Sequence, residues 1–492
     1  MKKSVLCALS IYFFISFLVP GLIFAEEKRQ KSVNERILEI LIEQKIITKR
    51  QFEELKKLAR EEAKGKRLKE KGEIKEKPHE KKAAKRQSQK EFTFGKPEVT
   101  AGYDKGFYIK TTDNRSKIRF DGRFQGDFKT YMGDHEDHAS FFVRRARLCT
   151  SGTLHKYYDF RVEAEFGKGG ARLNDGFLNI GYVPFAQLKF GQFKVPFSME
   201  ELHSDNWIDF VERSIANRLA PSRDIGVMLH GSIGDEFVYY QLGLFNGYRL
   251  NRVNDPDGGK DVALRMVAAP FKRTGFKAVE GLRVAGALTR GHVNLTENEW
   301  WNSGDFRTAA GTNYLRMRNG VVQHGYRTRG GLELHWDWGA TVLKGEYMAV
   351  DFEGLEMAHL KKDFRIQGGY VSISHMLTGE KFVYKKGRPG RIVPLNPFDP
   401  FHRDSSGWGA LQLGARFEYL KAEQAFLTLD YADYNRYTDK TYGFTLGVNW
   451  YPNAMVRFML NYYHMVFDDP ILVRAMTMDD EDSVLARIQI VF

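Results

Sequence analysis

The most regular feature of the chain is a two-residue alternation of apolar and polar side chains, which begins near residue 116 and continues to the end. In KIRFDGRFQGDFK, residues 117–129, every second position is apolar or glycine, and most of the others are charged. YDFRVEAEF, residues 158–166, repeats the pattern. Alternation with period two predicts β-strands that have one apolar and one polar face.

The polar faces of these strands carry too many charges for the outer surface of a soluble sandwich. In a membrane barrel, apolar side chains face lipid and charged ones face a water-filled interior, over segments of ~10 residues. A closed ring of strands also pairs every backbone group. We count roughly 16 to 18 candidate strands, and an even number is expected. The sequence therefore predicts an all-β fold, a transmembrane antiparallel β-barrel of 16 strands over residues 116–492.

The connections between strands divide into short and long ones. Tight turns near residue 378 and at 452–453 are expected on the periplasmic side. Longer outer loops are expected at 132–139, 246–260, 291–325 and 387–407. After the N-terminus, no run reaches the ~18 apolar residues of a spanning helix, so membrane insertion must use strands.

The N-terminus resembles an export signal. Lys2 and Lys3 precede a long apolar run, and Ile23 and Ala25 occupy the −3 and −1 positions of a cleavage site. Residues 1–25 are therefore predicted to be a signal peptide, although the run is long enough for an uncleaved anchor. Cleavage would leave Cys149 as the single cysteine, which excludes an intrachain disulfide.

Two segments separate the signal from the barrel. Residues 26–63 contain apolar positions at helical spacing and predict a helical hairpin or coiled segment, whose core is too small to stand alone. Oligomerisation or envelope tethering is one interpretation, and an amphipathic spacer is the other. Residues 64–115 form a charged linker and lead-in, dominated by Lys and Glu up to residue 90.

Net charge says little about the barrel itself. The chain carries +13, but residues 26–90 hold 22 Lys or Arg and only 13 Asp or Glu. Lys2 and Lys3 add two more charges, so about +2 remains for the rest of the chain. We therefore predict no nucleic-acid partner.

Basic side chains recur on the polar faces of the predicted strands. In FFVRRARLCTSG, residues 141–152, Arg145 and Arg147 have lumen parity, whereas Arg144 falls on the outer parity. Arg144 must lie at the membrane interface, in a subunit contact, or on a β-bulge that turns it inward. Further residues of lumen parity are Arg119, Arg123, Arg161, Arg265 and Arg283. A narrow channel lined by permanently charged arginines concentrates anions and repels cations.

Several spaced motifs resemble the phosphate-selective porins O and P, in the same order along the chain. They cover roughly residues 115–492 and are FFVRRARLCTSGT (141–153), LKFGQFKVPFSMEELHSDNWIDFVERS (188–214), LTGE (377–380), LGVNWYPNAMVRFMLNYYH (446–464) and the terminal strand. The resemblance implies a trimer of 16-stranded barrels, each narrowed by an inward-folded third outer loop, here residues 196–222. It also implies that wall arginines lead anions toward a basic constriction.

Some of the family's functional residues are matched in this chain and others are not. The paired arginines of the second strand match Arg144 and Arg145, and Asp175 matches an acidic residue near the anion site. The phosphate-specific members have lysine where this chain has Glu201, and a carboxylate there would repel phosphate. Basic residues that flank or occupy the loop are candidates to replace the missing charge: Lys189, Lys194, Arg213, Arg218 and Arg223.

These observations predict an outer-membrane porin and not an enzyme. The expected function is passive diffusion of small inorganic anions, with phosphate as a candidate. A weakly selective general porin, or a barrel whose N-terminal segment mainly tethers the envelope, is the alternative. The expected setting is the outer membrane of a Gram-negative-type bacterium, with lipid around a homotrimer, the N-terminal segment in the periplasm and Phe492 read by the barrel assembly machinery. No cofactor and no metal site is predicted, because no phosphate-cradling glycine loop or closed ligand set occurs.

Overall fold

The computed structural model describes residues 99–133, 138–167, 169–247, 251, 258–295, 305–401 and 407–492. The predicted signal peptide, helical segment and most of the charged linker lie outside the described residues. Within the described part, no helix is long and apolar enough to cross a membrane.

Sixteen antiparallel strands of the described chain form a closed barrel. The last strand pairs with the first in an unbroken register from Asp482↔Met132 to Val491↔Arg123, so the ring has no free edge there. The predicted fold and strand number are confirmed. The barrel strands are β3 (Lys117–Met132), β4 (Ser140–Leu154), β5 (Tyr158–Glu165), β6 (Arg172–Val183), β7 (Ala186–Lys194), β8 (Arg223–Ile233), β9 (Val238–Phe245), β10 (Asp261–Ala268), β11 (Leu282–Leu295), β14 (Val322–Trp338), β15 (Thr341–Met357), β16 (Leu360–Met376), β19 (Ala410–Ala422), β20 (Lys440–Tyr451), β21 (Val456–Val473) and β22 (Met476–Val491).

The alternation in the sequence becomes an apolar outside and a polar inside. On the outer face, Leu148 is 57% exposed and Phe190 is 66% exposed. Inward residues such as Arg147 and Asn179 are buried. Apolar side chains on the outside of a closed barrel match the lipid-facing surface of an outer-membrane protein.

We call the end where β3 begins and β22 ends the near rim, and the opposite end the far rim. The turn at 452–455 lies at the near rim. It is therefore on the same side of the barrel as the start of β3 and the end of β22, as expected. Residues 387–407 were expected on the opposite side of the barrel from the turn at 452–453, and this expectation is wrong. They belong to one connection, 377–409, that leaves β16 at the same near rim. The tight turn expected near residue 378 does not join two barrel strands, because this long connection follows β16 and contains a short hairpin, β17 (Tyr384–Lys385) and β18 (Arg388–Pro389).

A second hairpin precedes the barrel, where the sequence indicated only a lead-in. Strands β1 (Val99–Tyr103) and β2 (Phe107–Thr111) pair with each other, and β2 pairs with the start of β3 through Phe107↔Phe120 to Lys110↔Lys117. Because β22 pairs with β3 from Arg123 onward, the hairpin extends the same edge of β3 at the near rim.

Far-rim connections fill part of the barrel interior. The connection 195–222 contains helix α1 (Met199–Leu202) and a 3-10 helix (Ile215–Leu219), and later connections contain β12 (Asp305–Arg307), β13 (Asn313–Arg316) and α2 (Ala425–Thr428). Their apolar side chains pack with inward residues of β15 and β16 in one buried cluster, which includes Leu219, Leu315, Phe352, Phe364 and Phe426. The open part of the lumen is therefore displaced toward the opposite wall, around β3 to β9.

Candidate functional site in the barrel lumen

The connection 195–222, which we call the inward loop, lies inside the barrel, as the resemblance implied. Asp209 accepts hydrogen bonds from Lys344 of β15 (2.6 Å) and Gln412 of β19 (3.0 Å). Arg457 of β21 donates to the carbonyl of Ile208 at 2.8 Å. The inward loop is thus fixed to three separate strands of the wall.

The start of the inward loop is ordered by α1. The Ser198 side chain accepts a hydrogen bond from the backbone N–H of Glu201 at 3.1 Å, which is an N-cap. Glu346 of β15 accepts the N–H groups of Met199 (3.0 Å) and Glu200 (2.6 Å). A carboxylate at a helix N-terminus satisfies donors that have no partner within the helix.

Arg144 lies on a β-bulge. Gln125 of β3 pairs with Arg145 and Gly126 pairs with Val143, so Arg144 is the extra residue of β4. Its guanidinium turns inward and forms two hydrogen bonds with Glu212 of the inward loop, at 2.7 and 3.0 Å. The sequence allowed Arg144 to lie at the membrane interface, in a subunit contact or on a β-bulge. The structure has it on the bulge.

Glu163 of β5 is surrounded by three wall arginines. Arg123, Arg147 and Arg161 contact its carboxylate at 3.0, 3.1 and 2.5 Å, and its side chain is 1% exposed. Arg147 also contacts Glu165 at 2.5 Å. Three predicted pore cations, from β3, β4 and β5, therefore share carboxylates of β5, and their charge is largely compensated.

Asp175 of β6 stands beside this cluster. Arg223 contacts it at 2.7 Å and Arg161 at 3.3 Å. The resemblance placed an acidic residue near the anion site, and Asp175 does lie among arginines. Here, however, it is ion-paired with them.

Loop carboxylates neutralise further cations. Arg213 is ion-paired with Asp205 and Glu201, and Lys194 is 3.7 Å from Glu201. Burial would raise the pKa of Glu201, but Lys194 and Arg213 lower it below its usual value. Glu201 is only 7% exposed, so it is held within the loop by these cations and by Asn217, at 3.1 Å. The carboxylate is charged, but its neighbours compensate it.

The remaining predicted residues lie apart from this cluster. Arg265 is fully buried and forms a two-point ion pair with Glu333, at 2.7 and 2.6 Å. Arg119 contacts Asp121 at 3.3 Å, and Arg283 lies near the near rim, 3.9 Å from Asp337. Arg218 is exposed on the 3-10 helix, with no ion pair among the described residues.

A cavity of about 520 Å³ lies on the near-rim side of the inward loop. It is lined by nine Lys or Arg residues and by four Asp or Glu residues, so its lining is net positive. Lys189 projects into it over the rings of Phe177 and Phe193, at 4.6 and 5.3 Å from their centroids. Such a volume is in the range of small-molecule sites.

Three cations of this cavity, Lys386, Arg388 and Arg391, were not among the residues that the sequence indicated. Lys386 and Arg388 belong to the β17–β18 hairpin, which enters the barrel from the near rim. Gly387 at its tip, with φ 72°, packs against Tyr239 of β9, where a Cβ would lie 2.5 Å from the ring. The basic cluster in KKGRPGR, 385–391, was visible, but the segment had been assigned to an outer loop.

Lys189, Lys386, Arg388 and Arg391 differ from the other lining cations. Across the part of the chain that the structure describes, none of the four side chains forms an ion pair with a carboxylate. Most of the wall arginines do. The uncompensated positive charge of the lumen is therefore concentrated on the near-rim side of the inward loop.

Comparison with known proteins agrees with this architecture. The family model of phosphate-selective porin O and P matches residues 118–492. Porin O of Pseudomonas aeruginosa is 24% identical over 418 residues, which is 79% of this chain and 91% of that protein.

Solved structures similar to this chain include three outer-membrane proteins. The trimer form of OmpT of Vibrio cholerae has a TM-score of 0.47 at 12% identity, over 77% of this chain and 99% of that chain. The anion-selective porin from Comamonas acidovorans has a TM-score of 0.47 at 11% identity, over 77% and 100%. The channel DcaP of Acinetobacter baumannii has a TM-score of 0.47 at 10% identity, over 78% and 99%. The family match over most of the chain shows that this protein, an outer-membrane channel and not an enzyme, belongs to the phosphate-selective porin O and P family.

Proposed function

We propose that this porin conducts small anions by passive diffusion through the lumen between β3 to β9 and the inward loop. The single observation that carries the proposal is the lining of the 520 Å³ cavity, where nine basic residues face four acidic ones. Low-dielectric walls focus the field of such charges, which raises the local anion concentration and excludes cations.

In this proposal, permeating anions are attracted mainly by the cations that have no ion pair with a carboxylate. Arg123, Arg147 and Arg161 share the charge of Glu163, so a passing anion must compete with a fixed carboxylate for them. Lys189 and Arg388 have no such competitor within the described chain. They therefore supply more of the attraction than the wall arginines that the sequence indicated.

Reversal potentials in planar bilayers under a KCl gradient test the proposal. The protein is expected to prefer chloride over potassium, and Lys189→Ala with Arg388→Ala is expected to reduce that preference several-fold. The control removes two cations from the near-rim connection between β10 and β11, by Lys272→Ala with Arg273→Ala. Cation preference of the unmodified protein would contradict the proposal.

A weakly selective general porin is the second candidate, because most predicted pore arginines are ion-paired. Competition of the chloride current by inorganic phosphate separates the two candidates. A general porin shows no competition beyond the effect of ionic strength. A phosphate-preferring channel shows saturable competition.

We also propose the orientation and assembly that the family resemblance implies. In this proposal the near rim faces the periplasm, and the N-terminal segment lies in the periplasm. Three copies of the protein form a trimer. Protease added outside intact cells should then cut far-rim connections and spare 377–409. Light scattering of the detergent-solubilised protein measures the number of copies.

A further inference from the structure

Asp205 of the inward loop lies at the point where four guanidinium groups converge. Its carboxylate is 3.0 Å from Arg147, 3.1 Å from Arg145 and 3.9 Å from Arg123, and it is also ion-paired with Arg213. These arginines come from three elements, namely β3, β4 and the inward loop itself. The Asp205 side chain is 4% exposed, so its partners are protein groups.

One carboxylate cannot neutralise four guanidinium groups. Arg147 and Arg123 also share Glu163, but Arg145 has no second carboxylate within the described ion pairs; its other contact is the side-chain oxygen of Gln125, at 2.8 Å. Burial would raise the pKa of Asp205, yet Arg145, Arg213 and their neighbours hold it well below its usual range. The carboxylate is therefore ionised at neutral pH.

The same donors suit a free oxyanion. Guanidinium groups bind carboxylates and phosphates through the same planar N–H donors and in the same geometry. A cavity of about 190 Å³ adjoins Asp205, well above the ~15 Å³ that one water requires. Its lining contains six arginines, Arg144, Arg145, Arg147, Arg172, Arg213 and Arg223, against three carboxylates, one of which is Asp205.

We propose that this arginine cluster is an oxyanion site, and that Asp205 occupies it as a tethered counter-ion that keeps free oxyanions from binding tightly. This proposal rests on the proposed function, which is anion conduction, and it names Asp205 as a residue that determines which anions bind. A tethered carboxylate acts at a high effective concentration, so a free anion must displace it before it can contact the same donors. Asp205, rather than Glu201, then limits phosphate affinity.

Phosphate block of single-channel chloride current tests the proposal. In Asp205→Asn the arginines lose their competitor, and the phosphate concentration for half-block is expected to fall about tenfold or more relative to the unmodified protein. Asp261→Asn is the matched control, because it removes a buried carboxylate of β10 that is ion-paired with two arginines, Arg327 and Arg329, and with none of the four arginines around Asp205. Its half-block concentration should stay unchanged.

Folding must be followed in the same variants, since the four arginines repel one another more strongly once they lose the carboxylate that they share. Phosphate is expected to raise the unfolding temperature of detergent-solubilised Asp205→Asn and of Asp205→Ser more than that of the unmodified protein. Equal half-block concentrations, or a folded yield that stays low even when phosphate is present during refolding, would overturn the proposal. The reversal potential of the unmodified protein reports on anion conduction separately, so failure of either proposal is recognised independently.

Discussion

Asp209 illustrates how a single buried carboxylate can hold a loop inside a barrel. Burial would raise the pKa of Asp209, but the charge of Lys344 and hydrogen bonds from Lys344 and Gln412 hold it at about 2. A carboxyl group with a depressed pKa stabilises the folded state at any pH above its unfolded value. That contribution is lost as the pH falls through the folded pKa.

We expect the Asp209 contribution to be complete above about pH 4 and to disappear between about pH 4 and 2. Asp209→Asn should lower the unfolding temperature at pH 7 and should remove this part of the pH dependence. Thermal unfolding of both proteins from pH 7 to 2 measures the difference. Two curves that stay parallel from pH 4 to 2 would contradict the assignment.

Side-chain direction could be predicted at the residue scale wherever the strand is regular. Parity alone indicated correctly that Arg145, Arg147 and Arg161 point into the lumen. Parity did not decide the direction of the Arg144 side chain, because a β-bulge adds one residue to the strand and is not visible in a single sequence. The charge compensation was also hidden, since Arg147 and Asp205 meet only when the inward loop folds back across the wall.

The connection 377–409 is the element whose role changed most between sequence and structure. Its β17–β18 hairpin projects into the lumen and brings Lys386 and Arg388 to the cavity. The regular strands were predictable because each repeats the same alternation over many residues. This hairpin has two residues per strand, so no period can be measured, and only its basic and Gly-Pro composition distinguishes it.

Replacing residues 384–389 by a two-residue Asn-Gly turn should open the lumen. The change removes an obstacle and three cations, of which Lys386 and Arg388 line the cavity. Single-channel conductance is therefore expected to rise by roughly a half or more while anion preference falls. Planar bilayer recordings measure both quantities. In the control, Lys386→Met with Arg388→Met keeps the chain in place, so anion preference alone should fall. Unchanged conductance in the shortened protein would show that the hairpin does not narrow the pore.

At the scale of the whole molecule, the barrel depends on the seam between its first and last strands. Arg487 of β22 lies opposite Asp127 of β3 in the register and forms two hydrogen bonds with it, both 2.7 Å long. The side chains are 0% and 1% exposed. Arg487 also reaches Glu212 of the inward loop at 3.3 Å, so one guanidinium joins the seam to the constriction.

Arg487→Met should weaken the closed barrel strongly, because it leaves Asp127 buried without a counter-charge. Losing one partner of a buried ion pair costs about 3–5 kcal/mol of unfolding free energy. Arg365 and Asp351 provide the matched control, with the same two-point geometry at 2.6 and 2.9 Å but with side chains 53% and 39% exposed. Arg365→Met should therefore cost less than about 1 kcal/mol. Urea unfolding of the protein in lipid vesicles measures both changes in unfolding free energy. Equal losses of unfolding free energy in the two variants would mean that the Arg487–Asp127 pair has no special role in closing the barrel.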